Sequence, residues 1–327
     1  MKKTISIMVP TFNEEENVEL MYEALKDMFQ KKLHNYQYEI LFIDNKSKDG
    51  TRKIIREICS KDKKVKAIFN AQNFGQFNSP YYGLLNTTGD CTIMVAADFQ
   101  DPIDMIPKFV KEWENGYKIV IGIKNKSQEG KLVYFLRSMY YKTIKKFSEV
   151  DQIEHFTGFG LYDQEFIKIL KDLDDPEPYL RGIVAELGFE RKEIPFTQPK
   201  RLRGKSSNNW YRLYDGAMLG ITSYTKVGLR FATIIGFIIS FLSVIVALVY
   251  LILKLCNWNG FQAGIAPLII GVFLLGGLQI FFTGFLGEYI LKINQRVMHR
   301  PLVVVEEKLN LNEYENDVKI YQKSSKK

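Results

Sequence analysis

Residues 39–51 read EILFIDNKSKDGT. The first five suit a buried strand, four being apolar and two of those β-branched. Asp44-Asn45-Lys46-Ser47 breaks that run, and residues 51–60 carry apolar side chains at helical spacing. A strand that ends in polar punctuation and hands over to a helix is the unit of a parallel sheet covered on both faces. The unit recurs on either side. Strand-like runs at 6–9, 65–69, 92–96 and 119–123 alternate with helix-like stretches at 15–29, 77–87 and 102–115. Residues 1–125 therefore predict an α/β domain with a mostly parallel sheet. In such sheets ligands bind beyond the carboxyl ends of the strands. Three predicted strands end in residues fit for that: Pro10-Thr11-Phe12-Asn13-Glu14, Asp44-Asn45-Lys46-Ser47 and Asp98-Phe99-Gln100-Asp101.

The last third of the 327-residue chain reads differently. Residues 231–253 and 264–287 are free of charge over 23 and 24 positions. At about 1.5 Å per residue each reaches roughly 35 Å, enough for a hydrocarbon core of about 30 Å. Two transmembrane helices are expected. The net charge of +8 does not point to nucleic acid, because its positions follow these runs. Lys200, Arg201, Arg203, Lys205, Arg212, Lys226 and Arg230 precede the first, and Lys292, Arg296 and Arg300 follow the second. Lys254 alone sits in the connector. Basic residues stay on the cytoplasmic side, so both flanks and both termini are expected inside, with a short external connector. The same cluster could also simply touch anionic lipid.

The divisions expected are a catalytic domain over 1–207, an interfacial amphipathic segment over 208–229, two membrane helices over 230–291 and a cytoplasmic tail over 292–327. Residues 208–229 place Trp210, Tyr211, Tyr214 and Met218 beside a span, as interfacial helices do. A helix is expected at 132–147, an edge strand at 190–195 and a short strand at 301–305; the stretch from about 309 onward reads as loose.

Three cysteines and three histidines, all scattered, exclude a disulfide framework and a zinc cluster. The apolar stretch after Lys2-Lys3 ends at Pro10, too soon for a signal-peptide core. Neither G-x-G-x-x-G nor G-x-x-x-x-G-K-[ST] occurs where a dehydrogenase or P-loop nucleotidase needs it.

Several segments together resemble family-two glycosyltransferases. Val9-Pro10-Thr11-Phe12-Asn13-Glu14-Glu15 is similar to their opening motif, and Ile43–Thr51 to their second. Asn73-Phe74-Gly75-Gln76 and Ala97-Asp98-Phe99-Gln100-Asp101-Pro102 resemble the third and fourth. Arg203-Gly204-Lys205-Ser206-Ser207, Gly220-Ile221-Thr222-Ser223-Tyr224 and two spans ending in Gly287-Glu288-Tyr289 resemble the polyprenyl-phosphate branch, which includes dolichol-phosphate mannose synthase and bactoprenol glucosyltransferases. The resemblance covers about residues 4–305. Any one motif is weak; their order, with two spans behind, is specific.

The resemblance implies a GT-A-like domain that binds a nucleoside-diphosphate sugar. It assigns Asp44 to the base and Pro10, Phe12 and Glu14 to the wall around base and ribose, with Asn73 and Gln76 also at the donor. Without the motifs, Phe12 reads as core, Asp44 as a loop or cap aspartate, and Asn73 and Gln76 as caps. It implies Mg²⁺ or Mn²⁺ held by D-x-D plus a following glutamine. Here Ala96 stands at the first aspartate, leaving Asp98 and Gln100 as metal ligands with Asp101 alongside. Mg²⁺ needs only one or two carboxylates besides phosphate and water. Arg201, Arg203 and Lys205 are the candidates to clamp phosphate, and with Asp98 form the expected catalytic set. Thr157-Gly158-Phe159-Gly160-Leu161 departs again: close relatives often read G-D-F-R-L there. Glu154 and Asp163 lie nearby in sequence without a motif to promote them.

The expected function is inverting transfer of a hexose, UDP-glucose being the leading donor, onto polyprenyl phosphate at the inner membrane face. The resemblance implies a homo-oligomer, often a tetramer, and separate partners that flip the lipid-linked sugar and use it outside. Two rivals stand beside it. Ala96, Gly158 and Gly160 could mark a nucleotide-sugar-binding scaffold without turnover. A processive polysaccharide synthase is the other, although no Q-x-x-R-W motif is present.

Overall fold

The computed structural model describes residues 2–126, 153–199, 218–219, 227–256, 265–298 and 300–311. The expected helix at 132–147, most of the amphipathic segment 208–229 and the residues after 311 lie outside these.

The chain runs β1 (Thr4–Thr11), α1 (Val18–Lys32), β2 (Gln37–Asp44), α2 (Thr51–Lys61), β3 (Val65–Asn70), α3 (Gly75–Leu85), β4 (Cys91–Met94) and α4 (Ile106–Glu114). It continues through β5 (Ile119–Lys126), β6 (Phe156–Asp163), α5 (Gln164–Leu173), α6 (Leu180–Glu186) and β7 (Arg191–Thr197). Two long helices follow, α7 (Val227–Cys256) and α8 (Ile265–Val297), and then β8 (Val305–Leu309).

The eight strands form one sheet in the order β7-β5-β6-β4-β1-β2-β3-β8. The expected mostly parallel sheet is observed: β4, β1, β2 and β3 are parallel neighbours, as are β5 and β7. β6 and β8 run antiparallel to their neighbours. Strand side chains alternate between faces, and both faces are covered, which is why β1 and β2 read as continuous apolar runs. Ile5, Ile7, Val9, Ile40 and Phe42 pack on one side with Met21, Leu25, Ile55 and Phe109 from α1, α2 and α4. Met8, Leu41, Ile43 and Ile68 pack on the other with Leu84, Ile167 and Val184 from α3, α5 and α6. Residue Thr11 lies opposite Asp44 in the β1–β2 register, so the two polar strand ends leave the sheet side by side.

The final strand corrects the sequence reading. The expected strand at 301–305 lies instead at Val305–Leu309, antiparallel along the outer edge of β3. Free backbone groups on the β3 edge reward any strand that reaches them, and no local pattern announces such a partner. Strand β6, the antiparallel one inserted beside β4, also carries no alternating signature. The edge strand near 190–195 is found as β7 at the other margin of the sheet.

Both uncharged runs are helical. α7 has 30 residues and α8 has 33. Taken over the described residues alone, no helix is long and apolar enough to cross a membrane. Among the described residues Phe237 (72% exposed) and Ile280 (75%) are two of the many large apolar side chains exposed on these helices.

Candidate active site

Three loops at the carboxyl ends of β1, β2 and β3 are stitched together. Asn13 N–H donates to Ser47 Oγ (2.8 Å), Glu14 N–H to Thr51 Oγ1 (2.9 Å) and Glu15 N–H to Asp49 Oδ2 (3.2 Å). In return Lys48 N–H donates to Asn13 Oδ1 (2.8 Å) and Gly50 N–H to Glu15 Oε2 (2.7 Å). Asn45 joins the third loop. Its amide donates to Asn73 Oδ1 and the Gly75 carbonyl, both at 3.0 Å, and accepts from Phe74 N–H at 2.8 Å. Asn and Asp serve here because their short polar side chains satisfy backbone groups that no ladder reaches.

Asn13 (φ 56°), Lys46 (φ 66°) and Phe99 (φ 60°) adopt the left-handed region, one in each loop after β1, β2 and β4. Such conformations are unfavourable for residues with a Cβ and persist where the surroundings hold them, often at ligand sites.

Asp44 is the last residue of β2. Its side chain is fully buried. Its carboxylate accepts from Ser47 N–H (3.1 Å), from the Ser47 hydroxyl and from Arg52 Nε, so it faces inward. Arg52 also donates to the Asn70 carbonyl (2.6 Å) and to Glu306 of β8 (2.8 Å). Pro10, Phe12 and Glu14 are half-buried, and Asn73 and Gln76 are exposed around the same edge. Glu14 accepts from the Asn17 amide at 2.6 Å.

The fourth loop carries the acidic motif. Asp98 and Asp101 are both buried, and Gln100 is half-buried. Asp98 Oδ1 accepts Gln100 N–H (3.1 Å), and Asp101 Oδ2 accepts Ala96 N–H (2.9 Å). Burial pushes the Asp101 carboxyl up to about 6; the Ala96 hydrogen bond and Lys124 oppose that, and the charge of Asp98 adds to it. A strongly perturbed carboxyl beside another carboxyl is the electrostatic profile of a functional site. Among the described residues no three His, Cys, Asp or Glu side chains are grouped to hold a metal. Two buried carboxylates and an amide oxygen still fit a hard cation that draws its remaining ligands from phosphate and water.

The two departures in β6 have separate physical reasons. Gly160 pairs with Met94 on one side and Ile121 on the other. A Cβ there would lie 2.7 Å from the Val120 carbonyl oxygen, so no arginine fits. Gly158 has φ +103°, and its Cβ would meet Met94 Cε at 2.3 Å. Asp163, nearby in sequence, accepts from Trp113 Nε1 (2.7 Å) and caps α5 by accepting from Glu165 N–H (2.9 Å). Arg201, Arg203 and Lys205 lie outside the described residues. Sequence reasoning missed Asn45 as the joint between loops, Arg52 as the partner of Asp44, and Glu306.

An α/β sheet with polar loops gathered at its carboxyl edge and an acidic motif after β4 is the frame on which the sequence motifs converge. Residues 6–169 match Glycosyl transferase family 2, and the chain belongs to that family. It is a glycosyltransferase. It is 30% identical over 303 residues to the bactoprenol glucosyl transferase of Shigella phage SfX, covering 92% of this chain and 98% of that one. The SfII prophage-derived bactoprenol glucosyl transferase of Shigella flexneri is 31% identical, covering 92% and 97%. A prophage bactoprenol glucosyl transferase homolog of Escherichia coli K12 is 29% identical, covering 92% and 98%.

Proposed function

We propose that this chain transfers a hexose, glucose from UDP-glucose in the first instance, to polyprenyl phosphate at the cytoplasmic face of a membrane. The observation that carries the reading is the extent of the similarity to bactoprenol glucosyl transferases. It spans 92% of the chain and so takes in the two long helices as well as the sheet domain.

In this reading α7 and α8 cross the membrane with both flanks inside, ten basic residues lying on those flanks against one in the connector. The nucleoside lies against Pro10, Phe12 and Glu14, with Asn73 and Gln76 at the rim. Asp44 shapes the β2 loop that meets the base. Asp98, Gln100 and Asp101 hold Mg²⁺ or Mn²⁺, whose chemistry is to neutralise charge on the leaving diphosphate. Arg201, Arg203 and Lys205 clamp phosphate. The acceptor's phosphate oxygen attacks the anomeric carbon in line. The bond from that carbon to the diphosphate oxygen breaks, its electron pair leaves with the nucleoside diphosphate, and the configuration inverts. A phosphate monoester has its second pKa at about 6, so at neutral pH the attacking oxygen carries no proton for a base to remove. Positioning and relief of repulsion suffice. Self-association and separate flipping and acceptor proteins belong to the same reading.

The scaffold reading draws on Ala96, Gly158 and Gly160; close packing in β6 is a separate reason for glycine at 160. Membranes containing the protein, incubated with labelled UDP- and GDP-sugars, separate the readings. Label in an acid-labile lipid supports transfer; binding without turnover supports the scaffold; label in a polymer supports a synthase.

A further inference from the structure

Two cationic side chains, one from the loop after β2 and one from the first turn of α2, converge on a single oxygen. Lys46 Nζ and Arg52 Nη1 each donate to Glu306 Oε2 at 2.8 Å. Glu306 comes 254 residues after Arg52, in β8. It reaches this place because β8 pairs with β3, Phe69 lying opposite Glu307. Arg52 is only 13% exposed, and the rest of its fork is committed to Asp44 and the Asn70 carbonyl. Its guanidinium also lies 5.2 Å from the Phe69 ring centre. Lys46 is the left-handed residue of the same loop. The next carboxylate of β8, Glu307, turns to Arg56 instead (2.7 Å) and touches neither Lys46 nor Arg52. The bonds from Lys46 and Arg52 hold the Glu306 carboxyl down at about 2, so it stays ionised at every physiological pH.

We propose that Glu306 is a positioning residue for the donor loop 44–47: it fixes Lys46 directly and Asp44 through Arg52, and so sets the affinity for the nucleotide sugar. The inference rests on the reading above that the carboxyl end of β2 meets the nucleoside. A half-exposed carboxylate adds little to folding stability. Its effect here is geometric, because a planar guanidinium held on three sides fixes the direction of the Asp44 carboxylate. The last described strand thereby completes a loop cluster built from the first hundred residues.

The test uses the full-length protein in membranes, with saturating polyprenyl phosphate, varied labelled UDP-glucose, and GDP-mannose in parallel. Glu306→Ala is expected to raise the donor KM roughly tenfold with kcat within about twofold, and Glu306→Gln to fall between. Glu307→Ala, the control on the same strand, should leave KM unchanged. An unchanged KM in Glu306→Ala, or an equal rise in Glu307→Ala, overturns the proposal. Should Glu306→Ala fail to accumulate, Glu306→Gln decides, and a wild-type KM there overturns it too. Asp44→Asn separates the layers. If it raises KM while Glu306→Ala does not, only the link from β8 is wrong. If Asp44→Asn itself leaves KM unchanged, the donor-site reading fails, and the proposal with it.

Discussion

Asp101 Oδ2 accepts the backbone N–H of Ala96 at 2.9 Å, at the position where the motif lacks its first aspartate. The carboxylate three residues beyond Asp98 therefore folds back over the gap. This bond lowers the proton affinity of Asp101, but burial outweighs it and holds the carboxyl at about 6.

A stability consequence follows from the sign of that shift. The ordinary value is 3.8, so between about 4 and 6 the native state binds a proton that the unfolded chain has lost. Stability is highest below that window and falls as pH rises through it, by an amount on the order of 2–3 kcal/mol. Asp101→Asn keeps an acceptor for Ala96 N–H and removes the charge. In chelator it should unfold at higher temperature than wild type at pH 7.5 and match it near pH 4, while losing transferase activity. Thermal unfolding at the two pH values checks this.

On the proposed role of its carboxylate at the leaving diphosphate, Asp98→Asn should lower kcat by roughly 10²–10³ with folding intact. Initial rates on protein with a wild-type melting curve decide it. A folded Asp98→Asn variant with wild-type turnover removes Asp98 from the chemistry.

Ala96→Asp places a third carboxylate beside Asp98 and Asp101. Like charges gathered in a buried loop repel, and a divalent cation relieves them. The Mg²⁺ concentration for half-maximal rate should fall, and chelator should destabilise the variant more than wild type. Unaltered Mg²⁺ dependence, with activity persisting in chelator, points to a metal-free site resting on Arg201, Arg203 and Lys205.

Gly160→Ala should cost about 1–3 kcal/mol, because its Cβ meets the Val120 carbonyl oxygen, a backbone atom with no room to give. Gly158→Ala should cost a similar amount, from the φ of +103° rather than from Met94, whose methyl end can turn away. Gly158→Asp should not accelerate transfer, since the acceptor needs no base. Melting temperatures and rates of the three variants test both halves of the statement.

The alternation of strands and helices through residue 125 was legible because each element carries its own local signal. The continuous apolar runs of β1 and β2 announce burial on both faces, and the polar residues after them announce the edge where a ligand binds. Phe12, Asn73 and Gln76 are assigned to that edge only by the resemblance to the family's motifs, since by local pattern alone Phe12 reads as core and Asn73 and Gln76 as caps. The inward turn of Asp44 could not be read at all, because it depends on Arg52, which reads as one of many surface cations on α2. Glu306 was invisible for a stronger reason: a strand added to the β3 edge from 254 residues beyond Arg52 is decided by tertiary pairing and not by pattern. Gly160 was read as a lost arginine, yet it is a packing requirement of a strand flanked closely on both sides.

The acceptor is the centre of the account. The direct measurement gives purified full-length protein labelled UDP-glucose with either polyprenyl phosphate or the corresponding polyprenol, Mg²⁺ present. Label is expected in an acid-labile glycosyl phospholipid from the phosphate, and none from the alcohol, which has a proton to lose and no base to take it. Transfer to the alcohol at a comparable rate, or label appearing only on a sugar hydroxyl, would contradict it.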